Sequence, residues 1–170
     1  WRGSRRFVER LNRAAEPEGG TGAVVRSDGS YIVTGGVGGI GLKVAAWLVD
    51  SGAARVVLNG RSTPSETAQV VLTELGTRAE VVVELGDIAE PGVADRLVSA
   101  AEQTGRRLRG VIHSAAVLED QLVAGLTEDS LEAIWAPKAA GALRLHEALD
   151  EKAADRQLDH PVGVEVMPDV

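Results

Sequence analysis

Read for its apolar positions alone, the chain divides into short aliphatic runs separated by segments of helical period. YIVTG (31–35), ARVVLNG (54–60), AEVVVELGD (79–87) and LRGVIHSAA (108–116) have strand length and strand composition. Between them lie GIGLKVAAWLVDSG (39–52), SETAQVVLTELG (65–76) and GVADRLVSAAEQTG (92–105), whose apolar residues recur three and four apart. Strand and helix alternate three times, an order that crossover connections turn into a parallel sheet with helices on both faces. The expected fold class is therefore α/β, a Rossmann-like, doubly wound parallel sheet. Central parallel strands are buried on both sides, so the run Val81 to Val83 is expected inside.

The flanks are less regular. A helical region from Ser130 to Asp150 is interrupted by Pro137, which lacks an amide donor, and a new helix is expected to start there. A short strand is expected near Val162 to Val166. Residues 1–13 alternate weakly and fit either a strand or a short helix. AAEPEGGTGAVVRSDG (14–29) reads as a linker, which places the start of the domain proper near Tyr31.

Composition narrows the function. The 170 residues, 44% of them hydrophobic, suffice for one domain with a real core. A formal net charge of −7 argues against nucleic acid, whose phosphates call for a basic surplus. With no cysteine, disulfides and thiolate metal sites are excluded, and no metal centre is expected. No apolar run is long enough to enter a bilayer as a spanning helix. The first residues, WRGSRRFVER, carry four arginines around no apolar core and do not form a secretory signal. A cytoplasmic setting is expected. Without an initiator methionine, the chain is expected to be a piece of a longer polypeptide.

The candidate chemistry sits at the strand ends. TGGVGGIG (34–41) follows the first run and opens the first helix; Gly36, Gly38 and Gly41 satisfy GxGxxG, and Thr34, Gly35, Gly39 and Gly41 satisfy TGxxxGxG. Such a loop, completed by Val37 and Ile40, lets backbone approach a pyrophosphate at a helix N-terminus. A tight turn with no ligand is the alternative. After the second run an acid would accept from both ribose hydroxyls of NAD; here Arg61 and Ser62 stand instead, which suits the 2′-phosphate of NADPH. Asp87 and Ile88 after the third run either bracket an adenine or, through Asp87, cap the next turn. Ser114, Ala115 and Ala116 after the fourth are small enough for a cofactor to lie along the backbone. His113, alone in an aliphatic run, is read as structural.

Taken in order and spacing, TGGVGGIG, VVLNGRS, GDI, HSAAVLED and WAPKAAGALRLHEAL resemble the ketoreductase domain of a modular polyketide synthase, a member of the short-chain dehydrogenase/reductase superfamily, over roughly residues 30–150. SGAARVVLNGRS with GDIAEPGVADRLV is most similar to the mycobacterial mycocerosic acid synthase type. WRGSRRFVERL resembles the end of the structural subdomain that precedes the catalytic half, which assigns residues 1–13 to that subdomain, 14–29 to the linker and 30–170 to an incomplete catalytic subdomain.

The resemblance implies reduction by NADPH of a β-ketoacyl thioester, tethered through phosphopantetheine to an acyl carrier protein, in company with other domains of the same synthase. In the family a tyrosine donates the proton, a serine holds the carbonyl oxygen, and lysine with asparagine supports tyrosine and ribose. Lys138 in WAPKAAGA matches the lysine. Tyr31, the chain's one tyrosine, matches a strand residue instead, and serine, tyrosine and asparagine have no match. Either the chain ends before them, or residues are unrepresented, or the domain is a degenerate reductase that scaffolds its neighbours; the 170 residues alone are expected to be inactive. Leu118, Glu119 and Asp120 resemble the family's LDD motif, whose last aspartate marks a D-configured hydroxyl product.

Overall fold

A computed structural model describes residues 3–8, 24–103, 105–156 and 164–166. Five strands, β1 (Gly29–Thr34), β2 (Arg55–Gly60), β3 (Glu80–Leu85), β4 (Arg107–His113) and β5 (Val164–Val166), form one sheet in the order β3-β2-β1-β4-β5. All neighbours are parallel. The helices α1 (Gly39–Asp50), α2 (Glu66–Gly76) and α3 (Val93–Glu102) make the crossovers, and α4 (Glu128–Trp135) and α5 (Gly141–Arg156) follow β4. The expected alternation and fold class are what the structure has.

Alternate residues of the central strands feed two cores, as the two-residue period of a strand demands. Tyr31, Val33, Val56 and Leu58 pack with Ala45, Leu48 and Val49 of α1 and Leu75 of α2. Ile32, Val57 and Val111 pack on the other face with Leu97, Val98 and Ala101 of α3 and Leu145, Ala148 and Leu149 of α5. Tyr31 is thus a core residue, its hydroxyl accepting the Arg26 amide N–H at 2.6 Å. Among the described residues one charged side chain, Arg55, is buried, on the α3 side of the sheet. Arg55 donates from Nε and Nη2 to the Ala100 carbonyl at 3.0 and 2.7 Å and pairs with Glu80, so its charge is both hydrogen-bonded and partnered while it ties β2 to the end of α3.

Four expectations are revised. Val81 to Val83 are only half-buried because β3 is an edge strand, with helix packing but no further strand beyond it among the described residues. Pro137 does not begin a helix: α4 ends at Trp135, a π-helical turn runs over Ala136–Ala140, and α5 starts at Gly141. The wide turn carries the chain past a residue that cannot donate and whose ring crowds the preceding turn. The helical region also starts earlier than Ser130, at Glu128, where Thr127 and Ser130 form a reciprocal cap. Of the expected linker, 24–28 are described, and Val25 is already buried against the α1 face, so packing begins ahead of Tyr31. Residues 3–8 are exposed, with a turn at Gly3 and Ser4 and an isolated bridge at Arg5; 9–13 lie outside the described residues.

Leu97, fully buried between α3 and the sheet, should cost about 2 to 5 kcal/mol on truncation to alanine through lost burial and a cavity. Val70→Ala on the exposed side of α2 should change stability by less than about 0.5 kcal/mol. Urea unfolding monitored by circular dichroism compares the two, and equal midpoints would contradict the core assignment.

Candidate functional site

A cleft of about 410 Å³ opens where β1, β2, β3 and β4 end, at the point where the chain leaves the β3 side of β1 for the β4 side. Crevices at such a switch point are where open α/β sheets hold their ligands. Its floor is the glycine loop. Gly35 has φ +65, and a Cβ there would lie 2.6 Å from the Ser114 carbonyl oxygen, so the loop rests directly on the end of β4. A Cβ at Gly41 would overlap the Gly35 carbonyl, which is why α1 can start tucked beneath the loop. Gly38 and Gly39 face open space, as a surface meant for a ligand should. Gly38 provides no capping side chain and the first turn of α1 holds no acid, leaving its amides and partial positive charge to the cleft.

Most of the sequence candidates line this one cleft. Gly35, Val37, Gly38, Gly39, Ile40 and Gly41 come from the loop, Arg61 and Ser62 from the end of β2, Asp87 and Ile88 from the end of β3, and Ser114, Ala115 and Ala116 from the end of β4. Asp87 also accepts the Ala89 N–H at 2.9 Å, so it caps its turn and lines the cleft together. Leu118 is on the wall, 81% exposed; Glu119 and Asp120 are exposed beyond it and do not line the cleft. Thr34 and Gly36 lie behind the wall. Gly36 donates its amide to the Asn59 carbonyl at 2.9 Å, and Thr34 is fully buried.

Thr34 is the support on which two strand ends meet. Its carbonyl accepts from the Ser114 amide at 3.2 Å and the Ser114 hydroxyl at 2.6 Å, and its Oγ1 accepts from the Ala115 amide at 3.3 Å. The same hydroxyl lies 2.7 Å from His113 Nδ1, while His113 Nε2 lies 2.9 Å from the Pro137 carbonyl. A carbonyl can only accept, so Nε2 carries the proton and Nδ1 of the neutral ring accepts from Thr34. Burial holds the His113 pKa below the ordinary histidine range, against the opposing pull of the Pro137 and Lys138 backbone. His113 is structural, as read from the sequence.

Lys138 does not line the cleft. It sits in the π-helical turn and borders a neighbouring groove of about 780 Å³, with Leu131, Ile134 and Trp135 of α4 among its walls. Pro137, one residue earlier, does line the cleft, so this turn is the partition between the two. The residues that sequence reasoning missed are Asn59, Gly60 and Pro137. Asn59 donates from Nδ2 to the carbonyls of Glu84 and Gly86 at 3.2 and 3.0 Å, fixing the end of β3; a polar residue inside an aliphatic run was its one signal. Gly60 is required because a Cβ would overlap the Val37 side chain, a contact no local pattern announces. Among the described residues no helix is long and apolar enough to cross a membrane.

The depressed His113 pKa links stability to pH. In the unfolded chain this histidine protonates near an ordinary value of about 6.5, and in the folded chain only at lower pH. Between the two values the unfolded state binds more protons, so the His113 contribution is complete above about pH 6.5 and is lost as the pH falls toward the folded value. His113→Gln, which cannot titrate, should show a shallower loss of stability on acidification. Denaturant midpoints measured for both proteins from pH 7.5 to 5 test this; parallel curves would contradict it.

The family model described as KR domain matches residues 29–161. A phenolphthiocerol/phthiocerol polyketide synthase polypeptide of Mycobacterium tuberculosis (strain CDC 1551 / Oshkosh) is 58% identical over 163 residues, 96% of this chain and 9% of that protein. A mycocerosic acid synthase-like polyketide synthase of Mycobacterium tuberculosis (strain ATCC 25618 / H37Rv) is 52% identical over 137 residues, 80% of this chain and 6% of its own length. Among solved structures, an A1-type ketoreductase superposes with a TM-score of 0.70 at 34% identity, over 88% of this chain and 30% of that one. The chain thus spans less than a tenth of the length of these curated relatives, and within that span it belongs to the KR domain family, the ketoreductases of polyketide synthases.

Proposed function

We propose that this chain is the cofactor-binding part of an NADPH-dependent β-ketoacyl reductase in a multidomain polyketide synthase. Its substrate is a β-ketoacyl thioester carried on the phosphopantetheine arm of an acyl carrier protein, and its product the β-hydroxyacyl thioester. The supporting observation is the convergence of the ends of β1, β2, β3 and β4 on one cleft with a glycine floor. In this reading residues 1–13 end the structural subdomain, 14–29 link, and 30–170 belong to the catalytic subdomain.

The residues present fit a dinucleotide. The amides at the start of α1 face the cleft beside Gly38 and Gly39, where no Cβ obstructs a pyrophosphate. Arg61 and Ser62 stand at the end of β2, the position that reads the adenosine ribose, and a guanidinium there pairs with a 2′-phosphate where an acid would repel it. Asp87 and the buried Ile88 flank the adenine, and Ser114 to Ala116 leave room along β4. NADPH, once bound, supplies the hydride. Lys138, at the partition, supports the ribose and supplies the positive charge that would favour the ionised form of the family's tyrosine, a residue with no match among these 170.

A second reading, a noncatalytic module that organises adjacent domains, is favoured by one observation: Val164, Glu165 and Val166 stand at the end of β5, where the family places its serine. The two readings part on cofactor binding, which a pure scaffold does not need.

NADPH should therefore bind more tightly than NADH, and Arg61→Ala should erase the difference, costing roughly 1.5 to 3 kcal/mol for a hydrogen bond to a charged group. Calorimetric titration of both cofactors decides; equal affinities for the unsubstituted chain would contradict the assignment of Arg61. Stereochemistry gives a second test. Leu118 stands at the mouth of the cleft ahead of Glu119 and Asp120, and a loop there sets the side from which the substrate arm enters while the cofactor fixes the direction of hydride delivery. The complete parent ketoreductase should yield the D-hydroxyl thioester on chiral chromatography, and a predominantly L product would overturn that role.

A further inference from the structure

The π-helical turn and His113 are built for one another. Within the turn the Gly141 amide reaches back five residues to the Ala136 carbonyl, one residue further than in an α-helix. The Pro137 carbonyl is buried against His113, which donates to it from Nε2 at 2.9 Å. Four residues on, Gly141 leaves the ring its space: a Cβ there would lie 3.3 Å from His113 Cε1 and 2.7 Å from Ile88 Cγ2. The imidazole is oriented from behind by Thr34, whose hydroxyl meets Nδ1 at 2.7 Å. Thr34 is the last residue of β1 and opens the glycine loop, so a continuous line of hydrogen bonds joins the cofactor floor to the residue preceding Lys138.

We propose that neutral His113 is a positioning residue for Lys138. It clamps the Pro137 carbonyl, which as a pure acceptor requires the Nε2–H tautomer, fixes the turn, and thereby sets where the ammonium stands relative to the cleft, with Thr34 orienting the ring from Nδ1. The proposal rests on the assignment of Lys138 to the cofactor's ribose, but its first test does not. Reductive ¹³C-methylation labels the chain's three lysines, Lys43, Lys138 and Lys152, and Lys138→Arg assigns its signal. His113→Phe keeps a ring of similar size but no donor, and should shift or broaden the Lys138 resonance while those of Lys43 and Lys152 stay. His113→Gln, whose amide can still donate to Pro137, should restore it. Thr34→Val against Thr34→Ser makes the same comparison from the other end of the line, should the phenylalanine fail to fold. A Lys138 signal indifferent to these changes in folded protein would overturn the proposal.

The second test is a double-mutant cycle on the NADPH dissociation constant. His113→Phe should weaken binding about tenfold in the unsubstituted chain and less than about twofold in a Lys138→Met background, because coupled residues are not additive. A merely structural histidine would weaken binding equally in both backgrounds, and that result would refute positioning through Lys138. Should the unsubstituted chain not bind NADPH while the Lys138 resonance still answers to His113, the cofactor reading falls and the clamp stands.

Discussion

The architecture depends on β1 being paired on both edges and covered on both faces. All six of its residues are buried. The chain first builds outward from β1 to β2 and β3, then returns to β1's other edge with β4, and the cleft opens between those two departures. Because two backbones must end side by side there, the polar groups at their tips have to satisfy one another, and Thr34 does so for Ser114, Ala115 and His113 together. The glycines follow from the same constraint: with β4 this close, the loop after Thr34 has no volume for a side chain at Gly35.

The features legible in the sequence are those written in neighbouring residues. Four strands announced themselves as aliphatic runs, and the candidates at their ends were found because an α/β sheet gathers the ends of its strands; Arg61, Asp87 and Ser114 are far apart in the chain yet line one cleft. Features set by distant contacts were not legible. An aliphatic run has the same composition at an edge as at a centre, so the half-exposure of Val81 to Val83 could be known only from the strand order. Pro137 marked a break but not its kind, since a proline start and a widened turn share the same residue. Gly60 looked like any strand-ending glycine until Val37 was seen to fill the space over it. His113 was read as structural because it had no partner nearby in sequence; its partners are 79 residues before it and 24 after.

Lys138 illustrates how a family's motif and a particular chain's geometry complement each other. The motif marks the residue, while the structure locates it in the partition between two cavities rather than on the wall of the glycine-floored cleft. The turn so placed borders two compartments, presenting Pro137 to the one floored by glycine and Lys138 to the one walled by Leu131, Ile134 and Trp135.

The pairing of β1 with β4 also has a kinetic side. Ser30↔Arg55 and Arg55↔Glu80 join strands about one crossover apart, whereas Thr34↔His113 closes a loop of 79 residues. Closing long loops spends chain entropy before any contact rewards it, which slows the formation of such pairs. On a growing chain β1, β2 and β3 can associate while β4 is still unmade, and during that interval the glycine loop lacks the strand end on which it rests. The cleft is therefore completed only when the chain has been synthesised beyond His113, and a truncation before that residue would leave a partly formed sheet with one edge of β1 bare.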